Sequence, residues 1–215
     1  MLSFLKQEKF ALLFRSIPSK YVADACKAAY EGGVRIFEIA FDPSKDDTIY
    51  ETQKSIETVY ETLGRGIEVY AGTCVKKEYV DAAASSGAKA IISPGTQNSV
   101  INRTKELGLI SVPGASTPTE ILAAHEAGAD IVKIFPVLPD DVRRLQVTMS
   151  PLSHIPFMPT GGVNPDTIAE FLKTGATALS AGVTVISREI AENRDFELVK
   201  KNAKAHIDAI RSFAK

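Results

Sequence analysis

A lysine set inside a short apolar run is uncommon, because a charged amine resists burial. Lys133 is such a residue, in Ile131-Val132-Lys133-Ile134-Phe135. An apolar setting depresses a lysine pKa, and the neutral amine is a nucleophile that can attack a carbonyl and form a Schiff base. Glu38 stands in a matching run, Ile36-Phe37-Glu38-Ile39-Ala40; a carboxylate within reach of that amine could shuttle protons. Together they make an iminium-forming pair. The competing reading is a buried structural ion pair, a weak stability device because desolvating both charges offsets most of their attraction.

Which way these residues point depends on strand alternation, since side chains of equal parity share a face. If Val132 and Ile134 pack on helices, Lys133 points inward with Ile131 and Phe135. Phe37, Ile39 and Phe41 on the helices leave Glu38 inside with Ile36 and Ala40. The same alternation predicts Arg15 beside Leu13, Thr73 beside Ala71 and Thr160 beside Met158 on inner faces. Two glycine turns follow the last strand candidates, Thr160-Gly161-Gly162-Val163 and Ala181-Gly182-Val183-Thr184. Glycine lets backbone N–H groups approach an anion closely, and the loops after strands 7 and 8 of a barrel commonly bind phosphate. Turns need glycine in any case, so a plain structural role for both stays open.

The elements that must position these groups repeat in one rhythm. Short apolar runs at Ala11–Arg15, Ile36–Phe41, Glu68–Cys74, Ala90–Ser93, Leu109–Gly114, Ile131–Pro136, Phe157–Gly162 and Ala176–Gly182 alternate with helix-like stretches. The helices include Ser19–Tyr30, Thr48–Leu63, Lys76–Ser85, Thr117–Ala127 and Pro165–Thr174, two of them opening with Thr117-Pro118-Thr119-Glu120 and Asn164-Pro165. Eight units in 215 residues leave about 27 residues each, close to the least that a strand, a helix and two short loops need. Strands that are apolar at nearly every position suit a sheet covered on both faces. An open doubly wound sheet would place a Gly-rich fingerprint after the first strand, where this chain has Arg15-Ser16-Ile17-Pro18. The expectation is a single (β/α)8 TIM barrel over residues 1–215. The stretch Val137–Ile155 is the least regular.

Composition narrows the function. With 25 basic and 26 acidic side chains and 45% hydrophobic residues, disorder is excluded and no basic excess is present to bind nucleic acid. Two cysteines, Cys26 and Cys74, form no disulfide framework and read as reduced thiols of a cytoplasmic protein. No apolar run reaches signal-peptide or membrane-span length. The three histidines are scattered along the chain, so no metal is expected. Catalysis is assigned to the lysine, without a cofactor.

At this point the residues match a family. The chain resembles the 2-keto-3-deoxy-6-phosphogluconate (KDPG) and 4-hydroxy-2-oxoglutarate (KHG) aldolases from Leu12 to about Ile186. The resemblance is carried by Glu31-Gly32-Gly33-Val34-Arg35-Ile36-Phe37-Glu38-Ile39, Ala71-Gly72-Thr73, Ile92-Ser93-Pro94-Gly95, Val112-Pro113-Gly114, Thr117-Pro118-Thr119-Glu120, Val132-Lys133-Ile134-Phe135-Pro136 and Pro159-Thr160-Gly161-Gly162-Val163. It implies a class I aldolase on a homotrimeric barrel, acting on a small keto acid such as the Entner–Doudoroff intermediate KDPG, with KHG or a related 2-keto-3-deoxy sugar acid as the alternative. By the same resemblance Lys133 is the Schiff-base lysine and Glu38 the proton shuttle. Thr73 and Thr160 contact the pyruvate carboxylate, Pro94 and Phe135 wall the pyruvyl group, and Gly161 and Gly162 form part of a phosphate site.

Two positions depart from the pattern. Asp42 stands where many members carry a carboxylate-binding Arg, and its negative charge would repel an anionic substrate; some relatives instead carry an Arg at the end of strand 1, which Arg15 matches, so the resemblance makes Arg15 the candidate anion clamp. Val183 stands where a serine usually follows the glycine of strand 8. Rival readings are a synthase or isomerase with Lys133 as a non-covalent clamp, and a ligand-binding barrel without activity.

Overall fold

The computed structural model describes residues 2–213. After a short helix, α1 (Leu2–Glu8), strands and helices alternate: β1 (Phe10–Phe14), α2 (Val22–Glu31), β2 (Ile36–Ala40), α3 (Thr48–Leu63), β3 (Glu68–Gly72), α4 (Lys77–Ser85), β4 (Ala90–Ile92), α5 (Asn98–Glu106) and β5 (Ile110–Val112). The second half runs β6 (Gly114–Ala115), α6 (Pro118–Glu126), β7 (Val132–Val137), α7 (Val142–Met149), β8 (Phe157–Gly161), α8 (Ile168–Lys173), β9 (Leu179–Ala181), α9 (Arg188–Glu192) and α10 (Phe196–Phe213). All strand pairings are parallel, in the order β5-β4-β3-β2-β1-β9-β8-β7-β6.

Nine segments make eight strands. β5 and β6 are one extended run broken at Pro113, which has no N–H to give to a ladder. Pro113 still accepts from the Lys133 amide at 2.8 Å, and Ser111 accepts from Ile131 at 3.3 Å. The run that pairs with β4 on one edge therefore pairs with β7 on the other, and the barrel closes as the repeat count predicts.

The residues sort into two apolar layers. Leu12, Phe14, Phe37, Ile39, Val69, Val132, Ile134, Phe157 and Leu179 face outward and pack under the helices. Ala11, Ile36, Tyr70, Ala90, Ile92, Ile110, Val112, Ile131, Met158 and Ala178 fill the bore. Leu5 of α1, fully buried, joins the bore cluster beside these residues, with Leu2 and Phe4 packed on its edge. Since Ile36, Ala90 and Ile110 begin their strands, α1 floors the N-terminal end.

α6 begins as its sequence predicts, with Pro118 in the first turn and a reciprocal capping box between Thr117 and Glu120. The expected helix from Pro165 starts later, at Ile168, because the Asn164 side chain accepts from the amides of Asp166 and Thr167 and holds a turn first. The irregular stretch after β7 resolves into α7.

α10 buries Val199, Ala203, His206, Ile207 and Ile210 against the barrel. His206 Nδ1 faces the Asn202 carbonyl at 2.8 Å, so it carries the hydrogen, and Nε2 accepts from the Thr184 hydroxyl at 3.0 Å. Burial holds the imidazole pKa below its ordinary value of 6.5. As pH falls below that value the unfolded chain takes up a proton that the folded chain resists, so stability declines on acidification. Melting temperature should therefore drop from about pH 7 to pH 5, and this slope should flatten in His206→Gln.

Candidate active site

Lys133 lies in β7 opposite Gly114 of β6 and Met158 of β8, and is 2% exposed. Glu38 lies in β2 opposite Leu13 and Tyr70 and is fully buried. The strand parity read from sequence holds for both: each side chain enters the bore, with Lys133 Nζ 3.6 Å from Glu38 Oε1. Lys133 Nζ also sits 5.2 Å from the centre of the Phe135 ring.

Each carboxylate oxygen has a different surrounding. Oε2 accepts a hydrogen bond from the buried Ser180 hydroxyl of β9 at 3.2 Å. Oε1 is buried with no hydrogen-bond partner. Gly72 at the end of β3 makes room for this group, since a Cβ there would overlap Glu38 Oε1. Side chain and backbone together fix the carboxylate beside the amine.

Thr73 follows Gly72 and departs from the predicted alternation. Ala71 packs outward with Val69, while Tyr70 faces the bore, so parity with Ala71 would aim Thr73 at the helices. At Thr73 the backbone turns to φ 58°, a conformation that costs a β-branched residue free energy, and the strand rule stops applying. Its hydroxyl is buried without a partner. Thr160 is 3% exposed at the end of β8, and its hydroxyl finds only the Met158 carbonyl, at 3.5 Å. A buried polar atom left unpaired is costly and calls for a ligand or water. Glu38 Oε1 and the Thr73 hydroxyl, both near the same strand ends, are such atoms.

Pro94 and Phe135 line one cavity of about 230 Å³, together with Gly95, Thr96, Gly114 and Ala115, space for several waters. Gly161 and Gly162 form a tight turn against the segment after β7. The Gly162 amide donates to the Val137 carbonyl at 2.6 Å, so it is already engaged. Gly182 follows β9, and its carbonyl accepts from the amides of Val185 and Ile186. Val183 beside it is 74% exposed. The neighbouring Thr184 hydroxyl is turned inward, within 3.1 Å of the Val163 carbonyl and 3.0 Å of His206.

Arg15 lies one residue past β1 and is exposed. Asp42 acts within its own loop: Oδ1 accepts from the Ser44 hydroxyl at 2.6 Å and the Ser44 amide at 3.2 Å. Those bonds, then the charges of Lys45 and Arg15, hold its carboxyl below the usual range. Asp42 is thus a cap of its own loop and keeps its negative charge. Cys74 is fully buried in the outer layer, and burial, reinforced by the Glu38 charge, pushes its thiol pKa well up, so it is no nucleophile.

The fold brings His125 and His154 together, with ring centroids 5.7 Å apart, although sequence separates them. Among the described residues no group of three or more His, Cys, Asp or Glu side chains is placed to hold a metal. Ser180 escaped the sequence reading, although parity with Ala178, which fills the bore, was enough to send it inward.

A closed parallel barrel with a lysine–carboxylate pair sunk in its bore is an arrangement suited to a Schiff-base lyase of the aldolase type, and the comparisons with known proteins give that class. The sequence pattern of "KDPG and KHG aldolase" matches residues 4–202. The 2-dehydro-3-deoxy-6-phosphogalactonate aldolase of Escherichia coli (strain K12) is 30% identical over 162 residues, 74% of this chain and 78% of that one. The solved native KDPGal structure superposes with a TM-score of 0.84 at 26% identity, covering 95% of both chains. The KDPG aldolase from Legionella pneumophila, solved with pyruvate captured as a covalent carbinolamine intermediate, shares the fold at a TM-score of 0.82 and 18% identity, over 95% of this chain and 96% of that one. The protein belongs to the KDPG and KHG aldolase family.

Proposed function

We propose that this chain is a class I aldolase that cleaves a 2-keto-3-deoxy-6-phospho sugar acid to pyruvate and glyceraldehyde 3-phosphate, with Lys133 as nucleophile and Glu38 as proton shuttle. The observation that carries the reading is the buried amine 3.6 Å from an otherwise unpartnered carboxylate oxygen. The covalent pyruvate adduct in the Legionella pneumophila relative is in keeping with it. Neutral Lys133 attacks the C2 carbonyl carbon, and the carbinolamine loses water to become an iminium. Glu38 removes the C4 hydroxyl proton; the C3–C4 bond breaks, and its electron pair flows into the iminium to give an enamine. The aldehyde leaves. C3 is then protonated, and water releases pyruvate and the free amine.

Thr73 and Thr160 present hydroxyls to the substrate carboxylate, Pro94 and Phe135 wall the pyruvyl carbons, and Arg15 with the turns at Gly161 and Gly182 takes the far anion, while the Gly162 amide stays with Val137 and only shapes its turn. The gluconate and galactonate substrates differ in configuration at C4, and the galactonate form is the one acted on by the 30% identical relative. Exposed Val183 and the inward Thr184 hydroxyl favour a second reading, 4-hydroxy-2-oxoglutarate, whose far end carries no phosphate. No described helix is long and apolar enough to cross a membrane, and the same reading makes the protein a metal-independent cytoplasmic homotrimer built of single-domain barrels.

Pyruvate with borohydride should leave a reduced three-carbon adduct on the Lys133 peptide. An unmodified Lys133 by mass spectrometry would sink the proposal. A lactate dehydrogenase-coupled assay over the three keto acids then ranks the substrates.

A further inference from the structure

We propose that Ser180 is a positioning residue for this aldol chemistry, acting through Glu38; the inference rests on the aldolase reading above. A buried serine in a strand commonly returns its hydroxyl to a nearby backbone carbonyl. Ser180, fully buried in β9, instead spends it on a carboxylate from β2, at 3.2 Å from Glu38 Oε2. β2, β7 and β9 are the second, sixth and eighth strands of the barrel, and alternate strands send side chains to a common level of the bore. Glu38, Lys133 and Ser180 are therefore neighbours by construction.

A carboxylate on a flexible Glu can present either oxygen to a reacting group. Here the Ser180 hydroxyl holds Oε2, and Gly72 allows the opposite oxygen to approach the backbone at the end of β3. What remains is Oε1, unpartnered and 3.6 Å from Lys133 Nζ. Ser180 thus selects which oxygen takes and returns protons. As a donor to the ionised form it also favours Glu38 as a base. When Oε1 holds a proton, the hydroxyl can still donate to Oε2, so positioning survives every step of the cycle.

The test compares wild type, Ser180→Ala and Ser180→Cys. A hydrogen bond to a charged group, lost without refilling, corresponds to about a tenfold or greater effect. For Ser180→Ala we expect kcat to fall about tenfold while KM stays within about twofold, and the acidic limb of the kcat–pH profile to move to higher pH. Ser180→Cys keeps the shape with a weaker donor and should fall between the other two. Thermal melts are run on all three; if the alanine variant does not fold, the cysteine variant carries the test. Unchanged kcat with a superimposable pH profile overturns the inference. So does a rate loss that follows melting temperature while the pH profile stays fixed. Borohydride trapping of wild type separates the two ideas: no adduct on wild-type Lys133 means the aldolase reading has failed. An adduct there, with variants that match wild type, means that only the role of Ser180 has.

Discussion

Replacement of Lys133 by Met or Arg should lower kcat/KM by about 10,000-fold or more, the scale seen when a covalent step is removed and only binding and local polarity remain. The two variants fail for different reasons. Methionine has no amine. Arginine keeps a positive charge beside Glu38 but cannot shed its proton to become a nucleophile. A non-covalent electrostatic clamp would tolerate arginine far better than methionine, so near-normal turnover in Lys133→Arg would overturn the Schiff-base assignment. Methionine also leaves the fully buried Glu38 without its cation, and losing one partner of a buried pair typically costs roughly 3–5 kcal/mol. A thermal melt of Lys133→Met beside wild type should show this as a lower melting temperature.

Glu38→Gln should reduce kcat by about 100- to 10,000-fold, the usual range for removing a positioned general base. The amide fits the same space, and its carbonyl can still accept from Ser180, so the loss is one of proton transfer. Exchange of pyruvate methyl hydrogens in deuterated water isolates that step, because the enamine forms only when a base removes a C3 proton. Exchange followed by NMR should slow in parallel with kcat. Exchange at the wild-type rate would assign the base elsewhere, with the buried Thr73 and Thr160 region the first place to look.

Much of this site was legible in the chain because strands obey a period of two. Lys133 and Glu38 sit among apolar neighbours of opposite parity, and the bore is where parity puts them. Thr73 lay beyond that rule: a residue at φ 58° has left the strand, and no periodicity predicts where its hydroxyl points. Asp42 shows a related limit. Its charge is visible in sequence, but its bonds to Ser44 exist only once the loop closes. Ser180 was hidden by its blandness, since a small polar residue in a strand usually satisfies itself locally. The division of one strand at Pro113 was foreseeable from the missing N–H, whereas the seven-residue α1 offers too short a pattern to read.

That short helix has a consequence for traffic. With Leu5 seated among the first residues of several strands, the bore beneath Lys133 and Glu38 is closed at its N-terminal end. Everything enters and departs by the same mouth, which imposes a last-in, first-out discipline. On the aldolase reading the keto-acid end goes down first, toward Lys133, and the aldehyde half lies nearer the opening. A molecule lodged at the rim would then hold back both products at once.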